Sequence, residues 1–329
     1  LGKITLPRGP VEFRQGDILF MPDYAPYHVS MAGRDGLYTH LKAEGVFVSA
    51  MIYDLLPLLI PDCFNDDTVI QHNLWMRELT RFADQLICIS EAVAEELRDW
   101  LEKEKPAATV CQSIRSLHLG ADIESSVPTF GKADGTKIEG FFDESSPTFL
   151  MVGTIEPRKG HLQALAAFDL LWKEGVEVNL LVVGREGWQR VPPEERKTIP
   201  RIVKALREQP QRGRRFLWLD DADDDLLISA YDFSTCLLAA TEAEGFGLPL
   251  IEASRHSIPI LARDIPVFRE VAGECAAYFS GMRAKDLAAA VREWLDLYHR
   301  KEHPSSEQMP YLTWAEHAER LKELLMEGM

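Results

Sequence analysis

Cysteine is scarce in this sequence. Its five residues, Cys63, Cys88, Cys111, Cys236 and Cys275, are odd in number and never form a CxxC pair. That spacing excludes a disulfide framework or a zinc ribbon and fits a reducing compartment. The nine histidines contain no HExxH pair, so a metalloprotease-type site is excluded as well. Positive charge is in deficit, 36 Lys and Arg against 52 Asp and Glu, giving a formal charge of −16. Such a balance opposes general affinity for nucleic acid or anionic lipid. The one basic stretch, Arg196 to Arg215, has glutamates interleaved and reads as a solvated helix. Long apolar runs are missing too: GVFVSAMIYDLLPLLIP, Gly45 to Pro61, carries Asp54 and Pro57 at its middle. It is too short to span a bilayer and reads as a buried strand running into a loop. No secretory-signal pattern and no internal repeat is read in this stretch of sequence. The start at Leu1 is unlike a natural one and reads as that of a trimmed chain.

What is present is an ordinary globular composition, 46% apolar and 27% charged over 329 residues, enough for two domains with separate cores. Strand-length apolar runs alternate with helical patterns, the signature of βαβ units and parallel sheets. In the first part, strands are expected near residues 17–22, 46–53, 85–90 and 114–119. A helix opens at SEAVAEELRDWL with Ser90 as N-cap. The turn-rich segment Gly120 to Gly140 reads as a linker. A second alternation follows, with strands near 148–155, 178–184, 214–220, 234–241, 258–263 and 275–280. Helices are expected over 161–174, 196–208, 224–233, from Leu248, over 267–272 and over 284–298, and a last one over 313–328. The division implied is a first Rossmann-like domain over 1–130, a linker over 131–146 and a second domain over 147–308. A terminal segment, 309–329, is expected to pack back on the first domain.

Three stretches carry chemistry. EAEGFGLPLIEA sets Glu244 and Glu252 eight positions apart around Gly245-Phe246-Gly247. Glycines so placed cannot lie inside a helix, while Pro249 suits a first helical turn, so a loop leads into a helix after a strand. Glycine N–H groups and a helix start favour an anion such as phosphate. A tight turn carrying two solvated glutamates fits this stretch equally well. VGTIEPRKGH places Arg158 and Lys159 side by side before another helix. An arginine fork and a lysine point charge suit a diphosphate, and taken by itself the stretch fits a solvated basic loop as well. DDADDD contains Asp221-Ala222-Asp223, the D-x-D form of metal-dependent glycosyltransferases. The same run can cap a helix through Asp224 or Asp225, the reading preferred here.

GTIEPRKGH, VVGREGW, LISAY, EAEGFGLPLIEA, DIPVFREVAGECAAYF and Trp314, with MIYDLLPLLIP, ISEAVAEEL and LHLGADI in the first part, occur in the order seen in family 4. The chain thus resembles the retaining glycosyltransferases of that family, and most of all bacterial mannosyltransferases that build O-antigen and other surface polysaccharides. The resemblance implies an α/β fold of GT-B architecture, two Rossmann-like domains facing a central cleft. It implies a cytoplasmic enzyme, peripherally associated with the inner face of the membrane, that moves a hexose from a nucleotide sugar, GDP-mannose first, to a glycan or lipid-linked glycan. Glu244 would approach the donor sugar and Glu252 the ribose. Phe246, Gly247 and Leu248 would offer backbone N–H groups, and Arg158 and Lys159 would clamp the diphosphate and stabilise the leaving group without metal or other cofactor. Gly153, Thr154, Gly184 and Arg185 would line the donor site. Tyr53 stands where relatives carry a histidine, and with Asp54 it is assigned to the donor sugar. The glycine-rich loop that relatives carry after their first strand has no counterpart before Asp17, so the first domain reads as incomplete at its start. That departure keeps a rival in view, a non-catalytic nucleotide-sugar-binding module of a larger polymerase.

Overall fold

A computed structural model describes residues 11–105, 111, 113–122, 138 and 146–328. The linker expected over 131–146 falls outside them apart from Ile138 and Ser146, as do residues 1–10 of the segment ahead of Asp17. The chain forms two units, each with its own parallel sheet.

The described residues of the first unit fall within Leu1–Leu55, Ile70–Leu117 and Ala318–Met329. Its sheet has the order β1 (Ile18–Met21), β2 (Phe47–Ile52), β3 (Gln85–Cys88), β4 (Ser113–Ser116). All pairs are parallel, with Ile18 opposite Phe47, Ser49 opposite Gln85 and Gln85 opposite Ser113. Strands β2 and β3 are buried nearly throughout, which is why they read as continuous apolar runs without alternation. Helices α1 (Pro26–Arg34) and α2 (Leu37–Ala43) lead to β2, and α4 (Asp66–Phe82), from Ile70 onward, leads to β3. Helix α5 (Glu91–Glu104) starts where its cap predicts, Ser90 Oγ accepting from the Val93 N–H at 3.1 Å. Gln85 is buried but satisfied: its amide oxygen accepts from Ser49 Oγ at 3.2 Å and its Nε2 donates to the Leu324 carbonyl at 3.3 Å. The last residues of the chain are thereby tied to this unit.

The second unit comprises Leu56–Val69 and the described residues of His118–His317. Short α3 (Leu56–Leu59) and the start of α4 therefore group here, as do residues 118–122. In chain order it contains β5 (Thr148–Val152), α6 (His161–Lys173), β6 (Asn179–Val183), α7 (Ile199–Arg207), β7 (Phe216–Leu219), α8 (Asp224–Phe233) and β8 (Cys236–Ala239). There follow α9 (Leu248–Arg255), β9 (Ile260–Arg263), α10 (Pro266–Ala272), β10 (Ala277–Phe279), α11 (Ala284–Arg300) and the first residues of α12 (Trp314–Glu327). The sheet order is β10-β9-β8-β5-β6-β7, all parallel. Chain order reverses between β5 and β8, and in open parallel sheets the crevice beyond such a reversal is where ligands bind. Phe149 of β5 anchors the core, its ring 5.6 Å from Phe168 of α6 and 5.1 Å from Trp294 of α11 in edge contacts. Helix α7 begins at Ile199, not Arg196, with Pro200 in its first turn. Arg196 is instead taken by the Val191 and Gln189 carbonyls and the Glu186 carboxylate.

Candidate functional site

The loops that leave β5 and β8 are laced together beyond the reversal point. After β5 the chain makes a tight turn over Pro157–Lys159 and enters α6 through Gly160, whose φ is +76°. A Cβ there would lie 2.3 Å from the Ala240 carbonyl oxygen, so only glycine lets the loops approach. The Glu242 N–H donates to the Arg158 carbonyl at 2.7 Å, and Thr241 Oγ1 donates to the same oxygen at 3.2 Å. Arg263, at the end of β9 and 4% exposed, donates to the carbonyls of Ala240 and Thr241. The backbone of the glutamate loop is thereby pinned from behind.

This lacing brings three of the sequence-predicted residues to one point. Lys159 Nζ donates to Glu244 Oε2 at 2.5 Å, and Arg158 Nη1 donates to the same oxygen at 3.0 Å and to the Ala243 carbonyl at 2.9 Å. Arg158 Nη2 also pairs with Glu156 at 3.1 Å. The side chains of Arg158, Lys159 and Glu244 are only 12%, 17% and 17% exposed. Burial works to raise the Glu244 pKa, but the charges and hydrogen bonds of Lys159 and Arg158 outweigh it and hold the carboxyl below its ordinary value. Glu156 had no role in the sequence reading; its position two residues before Arg158 was the available signal.

Beside this cluster, Gly247 enters α9 at φ +98°, where a Cβ would lie 2.7 Å from the Phe268 ring. Leu248 is the first residue of α9, so its N–H is among those no carbonyl of the helix can reach. Phe246 is buried, its ring 5.1 Å from His118 in an edge contact. His118 Nε2 in turn lies 2.6 Å from Glu270 Oε1 of α10. Glu252, one turn into α9, accepts from the Tyr231 hydroxyl at 2.5 Å. Here burial wins: the Glu252 pKa is raised despite the Tyr231 bond and the nearby His256 and Arg255. His161, the first residue of α6, lines a cavity of about 30 Å³ together with Lys159, Glu244, Gly247 and Phe268. Burial and then Lys159 push its pKa down to about 3, which keeps the ring neutral.

Gly153 and Thr154 follow β5, and Gly184 and Arg185 follow β6, where the two loops pair. The Gly153 N–H donates to Val183 and the Ile155 N–H to Arg185. Arg185 is exposed and pairs with Asp221 at 2.6 Å. The cap of α8 is one residue earlier than expected. Asp223, whose backbone is extended, accepts from the Leu226 N–H at 3.0 Å, whereas Asp224 is already helical. Among the described residues, no group of three or more His, Cys, Asp or Glu is placed to hold a metal ion. Tyr53 and Asp54 belong to the first unit, just past β2. The Tyr53 hydroxyl donates to the Pro22 carbonyl at 2.6 Å, and burial, then Asp23, raises its pKa.

Residues 136–308, which include both laced loops, match the family model described as glycosyl transferases group 1. The chain belongs to this family. It is 38% identical over 314 residues to the serotype-specific mannosyltransferase WbdA of Escherichia coli, an alignment covering 95% of this chain and 37% of that relative. The O-antigen chain mannosyltransferase B of Escherichia coli is 29% identical over 129 residues, 38% of this chain and 30% of that one. The sucrose-phosphate synthase of Thermosynechococcus elongatus superposes with a TM-score of 0.69 at 17% identity, covering 94% of this chain and 73% of its own. Anabaena HepE, solved with UDP and glucose, gives 0.64 at 14% identity, with 93% and 77% covered. These structures share the α/β fold with parallel sheets expected of GT-B glycosyltransferases. The chain spans about 37% of the length of WbdA. Among the described residues no helix is long and apolar enough to cross a membrane.

Proposed function

We propose that this chain is a retaining hexosyltransferase that moves mannose from GDP-mannose to a glycan or lipid-linked glycan acceptor in surface-polysaccharide synthesis. The observation that carries the reading is the convergence of Arg158 and Lys159 on Glu244 at the reversal point of the sheet. A largely buried cation pair beside the start of α9 is where a leaving diphosphate would find its charge met. Electrostatic stabilisation of that kind is commonly the largest catalytic term. Glu252 would accept from the ribose and Glu244 from a donor-sugar hydroxyl. Gly153, Thr154, Gly184, Phe246, Gly247 and Leu248 line the approach in this reading, and Tyr53 and Asp54 are assigned to the donor sugar. The cations supply what a divalent ion would otherwise supply, so neither metal nor cofactor takes part. The mannose assignment is supported by the likeness to the mannosyltransferases of Escherichia coli. The chain would work in the cytoplasm at the inner face of the membrane, where a lipid-linked acceptor is found.

The test is transfer by the purified chain from GDP-mannose, GDP-glucose and UDP-glucose to a mannose-terminated lipid-linked glycan, with the anomeric configuration of the product read by NMR. Transfer from GDP-mannose alone, with an α product and no loss in EDTA, is expected. A β product, or a preference for UDP-glucose, overturns it. The 37% span against WbdA favours a second reading, a nucleotide-sugar-binding module of a larger polymerase. Calorimetric binding of GDP-mannose without transfer to any acceptor would favour that alternative.

A further inference from the structure

Tyr231 lies on α8, 1% exposed, with its hydroxyl 2.5 Å from Glu252 Oε2 on α9. Its ring stacks on His256 at 5.1 Å and 11°, and His256 Nδ1 is 2.6 Å from Asp232 Oδ1. The tyrosine is therefore held on both its flat face and its polar tip. We infer that Tyr231 is a positioning residue for nucleotide recognition: by taking Glu252 Oε2 it fixes the carboxylate so that Oε1 is the acceptor presented to a ribose hydroxyl. The inference rests on the proposed contact between Glu252 and the ribose.

Two physical effects give the bond its value. A free glutamate side chain gives up rotamer entropy when it is ordered. A hydroxyl already holding one oxygen has met that cost before the nucleotide arrives. The second effect is on charge. Burial pushes the Glu252 pKa up, and the Tyr231 hydrogen bond is the first of the groups that oppose this. The other charged or titratable groups facing Glu252 are Arg255 on its own helix and His256 at the end of that helix, which is itself held by Asp232 of α8. Arg255 is already engaged, donating to the Ala121 carbonyl at 3.1 Å. Without the tyrosine hydroxyl, Glu252 would take up its proton at a higher pH. A protonated carboxyl is a weaker acceptor for a sugar hydroxyl than a carboxylate.

The test is calorimetric titration of the full chain with GDP and with 2′,3′-dideoxy-GDP across the acid and neutral range. The parent is expected to prefer GDP by about tenfold, the equivalent of one charge-assisted hydrogen bond, and to lose that preference in acid. Tyr231→Phe, which keeps the stacked ring, should lower GDP affinity by about fivefold at neutral pH and leave dideoxy-GDP affinity unchanged. It should also move the acid loss of preference to higher pH. Glu252→Gln should remove both the pH dependence and most of the preference. If the parent does not distinguish the two ligands, the ribose contact itself falls and this inference with it. If the parent and Glu252→Gln behave as expected but Tyr231→Phe keeps the parent's preference and acid limb, the positioning role alone is overturned. Equal weakening toward both ligands in Tyr231→Phe, with a lowered Tm, makes the tyrosine a packing residue and also overturns it.

Discussion

Lys159 Nζ lies 2.5 Å from Glu244 Oε2, and Arg158 reaches the same oxygen from 3.0 Å. Counted with Glu156, which pairs with Arg158, two cations face two carboxylates, so the local formal charge is zero. In the proposed chemistry a diphosphate arriving here would compete with a carboxylate of the chain for cations that are already engaged. Part of its binding free energy would offset that exchange, and the cations would meet the diphosphate fully only as its charge grows.

It follows that Glu244→Gln should bind nucleoside diphosphate more tightly than the parent, by about five- to tenfold if one charge-assisted contact is relieved. Sugar transfer by the variant should fall steeply. Calorimetry with GDP and a transfer assay read the two effects separately. Unchanged affinity with unchanged transfer would return Glu244 to a structural ion pair.

Glu244 and Glu252 give opposite pH dependences of stability. The Glu244 carboxyl is held below its ordinary pKa, so its contribution is present above the unfolded value and is lost as pH falls through the folded value. The Glu252 carboxyl is raised, so the fold is favoured below the unfolded value, about pH 4, and that advantage is lost as pH rises through the folded value. Glu244→Gln should lower Tm at alkaline pH, with a gap that narrows in acid. Glu252→Gln keeps an acceptor for Tyr231 and should raise Tm at alkaline pH, with a gap that also closes in acid. Tm measured across pH reads both, and gaps of the same sign would contradict the assignment.

Gly160 is required twice, by its φ of +76° and by the Ala240 carbonyl 2.3 Å from any Cβ. Gly160→Ala should cost roughly 2–5 kcal/mol, left-handed strain plus overpacking against backbone that cannot step aside. Gly175, at the other end of α6, has a similar φ of +81° but open space around its Cβ position. Gly175→Ala should cost only about 1–2 kcal/mol. Urea denaturation of both variants separates strain from close approach, and equal losses would remove the case for tight lacing of the two loops.

The central strands were legible because a parallel strand buried on both faces is a short apolar run with turn residues at its ends, as in VFVSAMI and VNLLVVG. Helix α4 was missed, although Asn65, which caps it through the Thr68 N–H at 2.8 Å, and the following Asp66 and Asp67 were readable signals. In its sequence the buried His72, Trp75, Met76 and Leu79 are diluted by exposed Ile70 and Leu74, which blurs the period. At the site, residue types and loops were legible but partners were not. Lys159 and Glu244 are 85 positions apart and meet only because β5 and β8 are neighbours in the sheet. Tyr231 meets Glu252 only through the packing of α8 and α9, which no local pattern encodes.

The acidic run between β7 and α8 gives the last expectation. Asp223 is the N-cap of α8, accepting from Leu226 at 3.0 Å, and Asp221 is spent on an ion pair with Arg185 in which both side chains are largely exposed. A lost N-cap costs about 1 kcal/mol, whereas an exposed ion pair contributes about 0–1 kcal/mol. Asp223→Ala should therefore lower stability by about 1 kcal/mol, Asp223→Ser should restore most of it, and Asp221→Ala should be nearly neutral. All three should retain transfer, and EDTA should leave the parent's rate unchanged, because in the proposed chemistry Arg158 and Lys159 meet the diphosphate charge. A metal-holding D-x-D pair predicts a different pattern. Asp221→Ala and Asp223→Ala would then abolish transfer alike, EDTA would stop the parent, and Mn²⁺ would rescue the parent but neither variant. Denaturation curves and transfer rates on the same four proteins decide between a helix cap and a metal site, since only the cap separates Asp223→Ala from Asp223→Ser.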